Sequence, residues 1–209
     1  MNVKVLEEKI VAGAPLVPSK YSAVLEPPTA SNLESVSCNF ELPFDWLQLG
    51  RAAGNIQFVD QRNGDKLYVL RVQLPAESPS LAETSKKFFA DAVFGPDGTI
   101  ARSNEVDEYK VLVKESDAEA RQQLVSCSDI SGLCKVQRRR ISVKFSTTTS
   151  NGLVVPRRSI LDCYEVGGSA YMMVTTTNQL KFEEGGNEMQ TALKIAGSFV
   201  AVGRSVLSK

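Results

Sequence analysis

Apolar and polar residues alternate most clearly at Val36, Cys38, Phe40 and Leu42, which interleave with Ser37, Asn39 and Glu41. That period of two is the signature of a half-buried strand. Pro43-Phe44-Asp45-Trp46 ends it. Ile56–Asp60 reads as a second strand and Lys66–Leu74 as a third. Between them Arg62-Asn63-Gly64-Asp65 supplies an Asn-Gly turn, so 56–74 is a hairpin. The period then changes. Ser78 or Ser80 can cap a helix, Pro79 suits its first turn, and Glu83 follows Ser80 at capping-box spacing. Leu81, Thr84, Phe88, Phe89, Ala92 and Val93 lie on one face through Phe94, and Gly95-Pro96 closes the helix.

After a strand expected at Thr99–Val106, residues 107–137 are polar and mixed, with a short helical stretch around Asp117–Val125. They read as an insertion. Arg138–Thr149, Ser159–Glu165 and Ala170–Thr177 predict three more strands, the last two joined through Val166-Gly167-Gly168-Ser169. Gly185-Gly186 precedes a final helix from Asn187, with Met189, Ala192, Leu193, Ala196 and Phe199 at helical spacing. Hairpins dominate and no parallel βαβ repeat is visible. The fold class is therefore α+β, an antiparallel sheet with helices on its faces.

Residues 1–35 differ. Four prolines (Pro15, Pro18, Pro27, Pro28) and no sustained period predict an extended arm ahead of a single domain at 36–209. Val5, Ile10 and Leu16 make the arm more apolar than a free linker, so it packs on a partner or on its own body. No apolar run approaches the ~20 residues of a membrane span. The mixed charges of the first twenty residues do not make a signal peptide.

Composition changes the functional picture at one point. The 209 residues contain no histidine. This removes Ser-His-Asp and Cys-His nucleophile pairs and imidazole metal ligands. There is no Gly-x-Ser-x-Gly elbow, phosphate-cradling glycine motif or Cys-x-x-Cys pair. The expectation is a non-enzymatic protein without cofactor or bound metal. Cys127 and Cys134, six residues apart around a glycine, either form a disulfide or are small side chains in a loop. Lys+Arg and Asp+Glu are both 24, yet Arg138, Arg139, Arg140, Lys144, Arg157 and Arg158 crowd into 138–158 with no acid between them. The alternation puts Arg138 and Arg140 on one strand face and Arg139 on the other. Such a run is either a solvated strand end or a patch that docks an acidic protein. Nucleic acid is the weakest reading, because no RNA-binding aromatic signature accompanies it.

A strand ending in Phe40-Glu41-Leu42-Pro43-Phe44-Asp45-Trp46 resembles the Phe-x-x-Pro-x-x-Trp opening of the PsbP domain of photosynthetic organisms. The likeness continues through the 56–74 hairpin, the helix after it, the paired strands at 159–177 and the closing Ala196-Gly197-Ser198-Phe199, with 107–137 as an addition. The resemblance implies an α/β/α sandwich with a central, mainly antiparallel sheet. It also implies an extrinsic subunit or assembly factor of a photosystem or related complex, held by protein–protein contacts on the lumenal side of the chloroplast thylakoid. Such a protein is imported, and no targeting segment is read in this chain. Metal-holding members use histidine and carboxylates, so the missing histidine argues against that role. The arm, the insertion and the basic run would be the contact surfaces. The alternative is a related Mog1-type sandwich acting as a cytosolic or nuclear small-GTPase adaptor. A small-ligand carrier or carboxylate hydrolase is a third reading.

Overall fold

The alternating segments become strands in a computed structural model that describes residues 18–27, 33–52, 55–101, 105–116, 120–126 and 133–205. The strands are β1 (Pro18–Leu25), β2 (Leu33–Pro43), β3 (Leu47–Ala52), β4 (Asn55–Asp60), β5 (Asp65–Gln73), β6 (Glu105–Val111), β7 (Arg121–Ser126), β8 (Leu133–Thr148), β9 (Val154–Val166), β10 (Ser169–Asn178) and β11 (Val200–Ser205). The helices are α1 (Lys86–Phe94), α2 (Gln179–Glu183) and α3 (Asn187–Ser198). β1, β2 and β11 form a small sheet; β3-β4-β5-β10-β9-β8-β6 form a large one, with β7 also paired to β8. Every pairing is antiparallel. The expected fold class, mainly antiparallel sheet with a few helices, is the observed one.

Alternation on the large sheet builds a core on each side. Leu67, Val69, Tyr164, Tyr171 and Met173 point to the small sheet and to Ile195 and Phe199 at the end of α3. Tyr68, Leu70, Leu161, Cys163, Met172 and Val174 point the other way, onto Phe89, Val93 and Phe94 of α1. β10 lies at the centre and is buried along almost its whole length. The hairpins turn where glycine was read: Gly64 (φ 69°), Gly167 (57°) and Gly168 (77°) all occupy the left-handed region.

Several expectations are corrected. The first helix begins at Lys86, not near Ser80; Ser85 caps it, its side chain accepting from the Phe88 N–H. Residues 81–83 form a turn because their backbone is held from elsewhere. Leu81 N–H donates to Glu165 Oε2 at 2.9 Å, and the Leu81 and Thr84 carbonyls both accept from Arg139. The Thr99–Val106 strand is displaced to Glu105–Val111, because Thr99 and Ile100 donate back to Ala92 and Val93 at the end of α1. Residues 121–125 are strand, not helix: Val125 packs inward with Val136 against the small sheet, while Leu124 faces solvent. Part of the expected arm is sheet. Residues 18–25 form β1, with Tyr21 and Ala23 packed on the core and Leu25 within it. On α3, Ile195 rather than Leu193 joins Ala192 and Ala196 in the buried face.

Candidate functional site

The basic run of 138–158 lies along β8 and the start of β9, where Arg138, Arg140, Lys144 and Arg158 each meet an acid from outside the run, while Arg139 and Arg157 donate to backbone carbonyls. Arg138 and Arg140 share a face with Asp162 of β9. Arg138 Nε lies 2.6 Å from Asp162 Oδ1, and Arg140 Nη2 lies 2.7 Å from Oδ2. The carboxylate is fully buried. Arg138 also donates to the Ala196 carbonyl near the end of α3 (3.2 Å) and lies 5.6 Å from the Tyr164 ring centroid. Lys144 pairs with Glu183 at 2.5 Å, and that hydrogen bond holds the Glu183 carboxyl below its ordinary range. Arg157 donates to the Gly64 carbonyl. Arg158 is paired with Glu115 and lies 5.1 Å from the Phe182 ring centroid. Arg139 and Arg158 are both buried, so neither presents a surface to a partner. The uncompensated stretch of sequence is thus compensated in space by Asp162, Glu183 and Glu115.

Val5, Ile10, Leu16 and Cys127 lie outside the described residues. Cys134 is disulfide-bonded. Cys38 and Cys163 are free and buried. Burial pushes the Cys38 thiol up to about 12 and Cys163 well above its ordinary value. Beyond β1, the arm is tied to the body where Tyr171 Oη donates to Glu26 O (2.7 Å) and Arg71 Nη1 to Pro27 O (2.7 Å).

A second place carries more chemistry than its sequence announces. The corner from β2 to β3, the β4–β5 turn and the start of α3 enclose a cavity of about 330 Å³, with Trp46, Asp60, Arg62, Asp65, Glu188 and Thr191 among its walls. The turn fixes Asp60, whose carboxylate accepts from Arg62 N–H (2.9 Å) and Asn63 Nδ2 (2.8 Å). Arg62 is in turn paired with Asp45. Asp65, 6% exposed, accepts from Thr177 Oγ1 at 2.8 Å through Oδ2. Its Oδ1 and Asp45 Oδ1 are buried with no hydrogen-bond partner among the described residues. Burial raises the Asp65 carboxyl, opposed by the Thr177 bond and by the charge of Arg157. Beside the cavity Phe44, Leu47 and Leu49 are exposed at 50%, 46% and 39%. Phe44 precedes β3 and Leu47 and Leu49 lie on it, and β3 is a margin of the large sheet.

In the sequence Asp60 ends a strand and Asp65 closes the Arg62–Asp65 turn, so neither stands out as a site residue. The available signal was three aspartates at strand ends (Asp45, Asp60, Asp65), two of them flanking an Asn-Gly turn. Among the described residues no group of three or more His, Cys, Asp or Glu is arranged to hold a metal ion. No helix among them is long and apolar enough to cross a membrane.

No protein-family model and no curated protein sequence matches the chain. Among solved structures it is similar to cyanobacterial PsbP (CyanoP) from Synechocystis sp. PCC 6803, with 10% identity over 93% of this chain and 98% of that one, TM-score 0.49. It is also similar to the Saccharomyces cerevisiae Ran-binding protein Mog1p, with 8% identity over 89% and 96%, TM-score 0.48. LpqN of Mycobacterium tuberculosis, involved in cell envelope biogenesis, aligns at 8% identity over 88% and 91%, TM-score 0.40. The likeness is one of fold.

Proposed function

We propose that this chain is a non-catalytic, protein-binding subunit or assembly factor of a photosynthetic membrane complex, working on its oxidising, lumenal side. The observation that carries the binding role is β3. A marginal strand offers unpaired backbone groups, and soluble proteins usually protect such edges with charge, proline or a covering element. Here the edge is approached by exposed Phe44 and carries exposed Leu47 and Leu49, the last two on one face at i, i+2. An apolar edge of this kind fits a partner that adds a strand or lays an apolar face against it. The choice of a photosynthetic partner rests on the resemblance of Phe40–Trp46. The disulfide at Cys134 favours an oxidising compartment over the reducing one of a cytosolic or nuclear GTPase adaptor.

Two measurements test this reading. In the first, the immobilised full chain is exposed to detergent-solubilised thylakoids beside a Leu47→Glu/Leu49→Glu variant. The variant is expected to capture the complex at least about tenfold more weakly, as for loss of an interface anchor. Its melting temperature should shift by only a few degrees, since both side chains are already in solvent. Equal capture by both chains overturns the role of β3, and a chain that enriches no photosystem or related complex overturns the function. The second is a thiol count. Folded protein should react little, because Cys38 and Cys163 are buried and protonated at neutral pH. Unfolded, unreduced protein should show the two free thiols, and reduction should bring all four cysteines into view. Four thiols without reductant, in protein isolated from its own cells, would remove the support for an oxidising compartment.

A further inference from the structure

We propose that the cavity between the β2–β3 corner, the β4–β5 turn and the start of α3 receives a lysine or arginine side chain of the protein partner. The inference rests on the binding role argued above and names the chemistry of the contact.

Charge complementarity leads to this occupant. Asp60, Asp65 and Glu188 line the cavity, and Asp45 precedes its wall residue Trp46. Arg62 answers Asp45 and Asp60, and Lys181 answers Glu188 at 3.3 Å. Asp65 accepts from the Thr177 hydroxyl and feels the charges of Arg157 and Lys181 at a distance, yet its buried Oδ1 makes no hydrogen bond among the described residues. A buried carboxylate oxygen without a partner is costly. A guanidinium or ammonium entering the cavity supplies the missing donor, and the charge-assisted bond it forms is among the stronger ones.

Size and wall chemistry agree. About 330 Å³ lies at the small end of ligand pockets, which run from roughly 300 to 1,000 Å³, and suits one side chain better than a cofactor. Trp46 in the wall suits a cation, which is attracted to aromatic faces. Exposed Phe44 and Leu47 lie two residues before and one residue after the wall residue Trp46. A basic residue set in a pocket, with apolar contacts around it that exclude water, is the arrangement of an interface hot spot.

The test uses Trp46, the single tryptophan of the chain, as reporter. Its fluorescence is followed while the full-length protein is titrated with N-acetyl-arginine methylamide, N-acetyl-norleucine methylamide or calcium chloride at matched ionic strength. The arginine probe should give a saturable change and the norleucine probe none. Asp65→Asn should weaken the arginine probe about tenfold or more, as expected for loss of a charged hydrogen bond. The asparagine can still accept from Thr177. If circular dichroism shows that variant to be unfolded, Glu188→Gln, at another carboxylate of the cavity wall, is read in its place and should also weaken the arginine probe. Equal responses to the two amides, no saturable response to arginine, an unchanged response in the carboxylate variant, or saturation by calcium alone each overturn the assignment.

The titration needs no partner, so the two readings fail separately. If the full chain captures a complex and Asp65→Asn captures it equally, the cavity assignment is overturned and the function stands. If the wild-type chain captures none, the function is overturned, and the arginine titration still decides the cavity.

Discussion

Replacing Asp162 with alanine is expected to lower stability by about 3–5 kcal/mol, the usual cost of removing one partner from a buried ion pair. Asp162 is 0% exposed and lies between Arg138 and Arg140, whose side chains are 20% and 27% exposed. Without it the two guanidiniums lose the buried carboxylate that lies between them. Arg138 also holds the last turn of α3 through the Ala196 carbonyl, so the damage reaches the helix that covers this face. For a chain of this size the melting temperature should fall by roughly 6–20 °C, taking about 2–4 °C per kcal/mol. Asp162→Asn, which keeps an acceptor, should lose less. Replacing all three residues together with apolar ones should recover part of the loss, because the isolated cations disappear with the carboxylate. Equilibrium urea unfolding measures each step. A loss below about 1 kcal/mol for Asp162→Ala would show that the pairs contribute nothing net, and that water reaches the site.

What could be seen in the sequence was whatever period and turn chemistry set locally. Val36–Leu42 alternate because one face of β2 is buried, and the Asn63-Gly64 and Gly167-Gly168 turns need positive φ. Three kinds of information were absent. First, β1 hides among prolines: Tyr21, Ala23 and Leu25 do face inward, but the run is short beside Pro18 and Pro27. Second, β3 puts its leucines into solvent, so its pattern does not advertise a core face. Third, contacts between distant segments override local signals. Ser80 does cap a turn, with Glu83 N–H 3.3 Å from its Oγ, yet no helix starts there. The basic run looked uncompensated because Asp162, Glu183 and Glu115 come from outside it or across the sheet. The cavity at Trp46 is assembled from three separate segments, and no spacing in one of them reveals it.

Arg139 shows how far such a contact reaches. Its place in the basic run suggested a docking residue, but the alternation turns it to the α1 side of β8, where it is 5% exposed. There Nη1 donates to the Leu81 and Thr84 carbonyls, each at 2.6 Å. Glu165 takes the Leu81 N–H, so the segment ahead of α1 is gripped by two strands at once. Arg139→Met keeps much of the stem and removes the donors. Each buried carbonyl left without a partner costs about 1–3 kcal/mol, so the variant should lose roughly 2–6 kcal/mol in urea unfolding. The loss should also be local. Amide exchange at Leu81, Thr84 and Phe88 should quicken more than at Met172 and Val174 of β10, because the segment before α1 opens ahead of the sheet. Uniform quickening, or a loss under about 1 kcal/mol, would mean that packing of Leu81 and Phe89 fixes this segment without the arginine. The expected pattern makes Arg139 the reason that α1 begins at Lys86 and not a turn earlier.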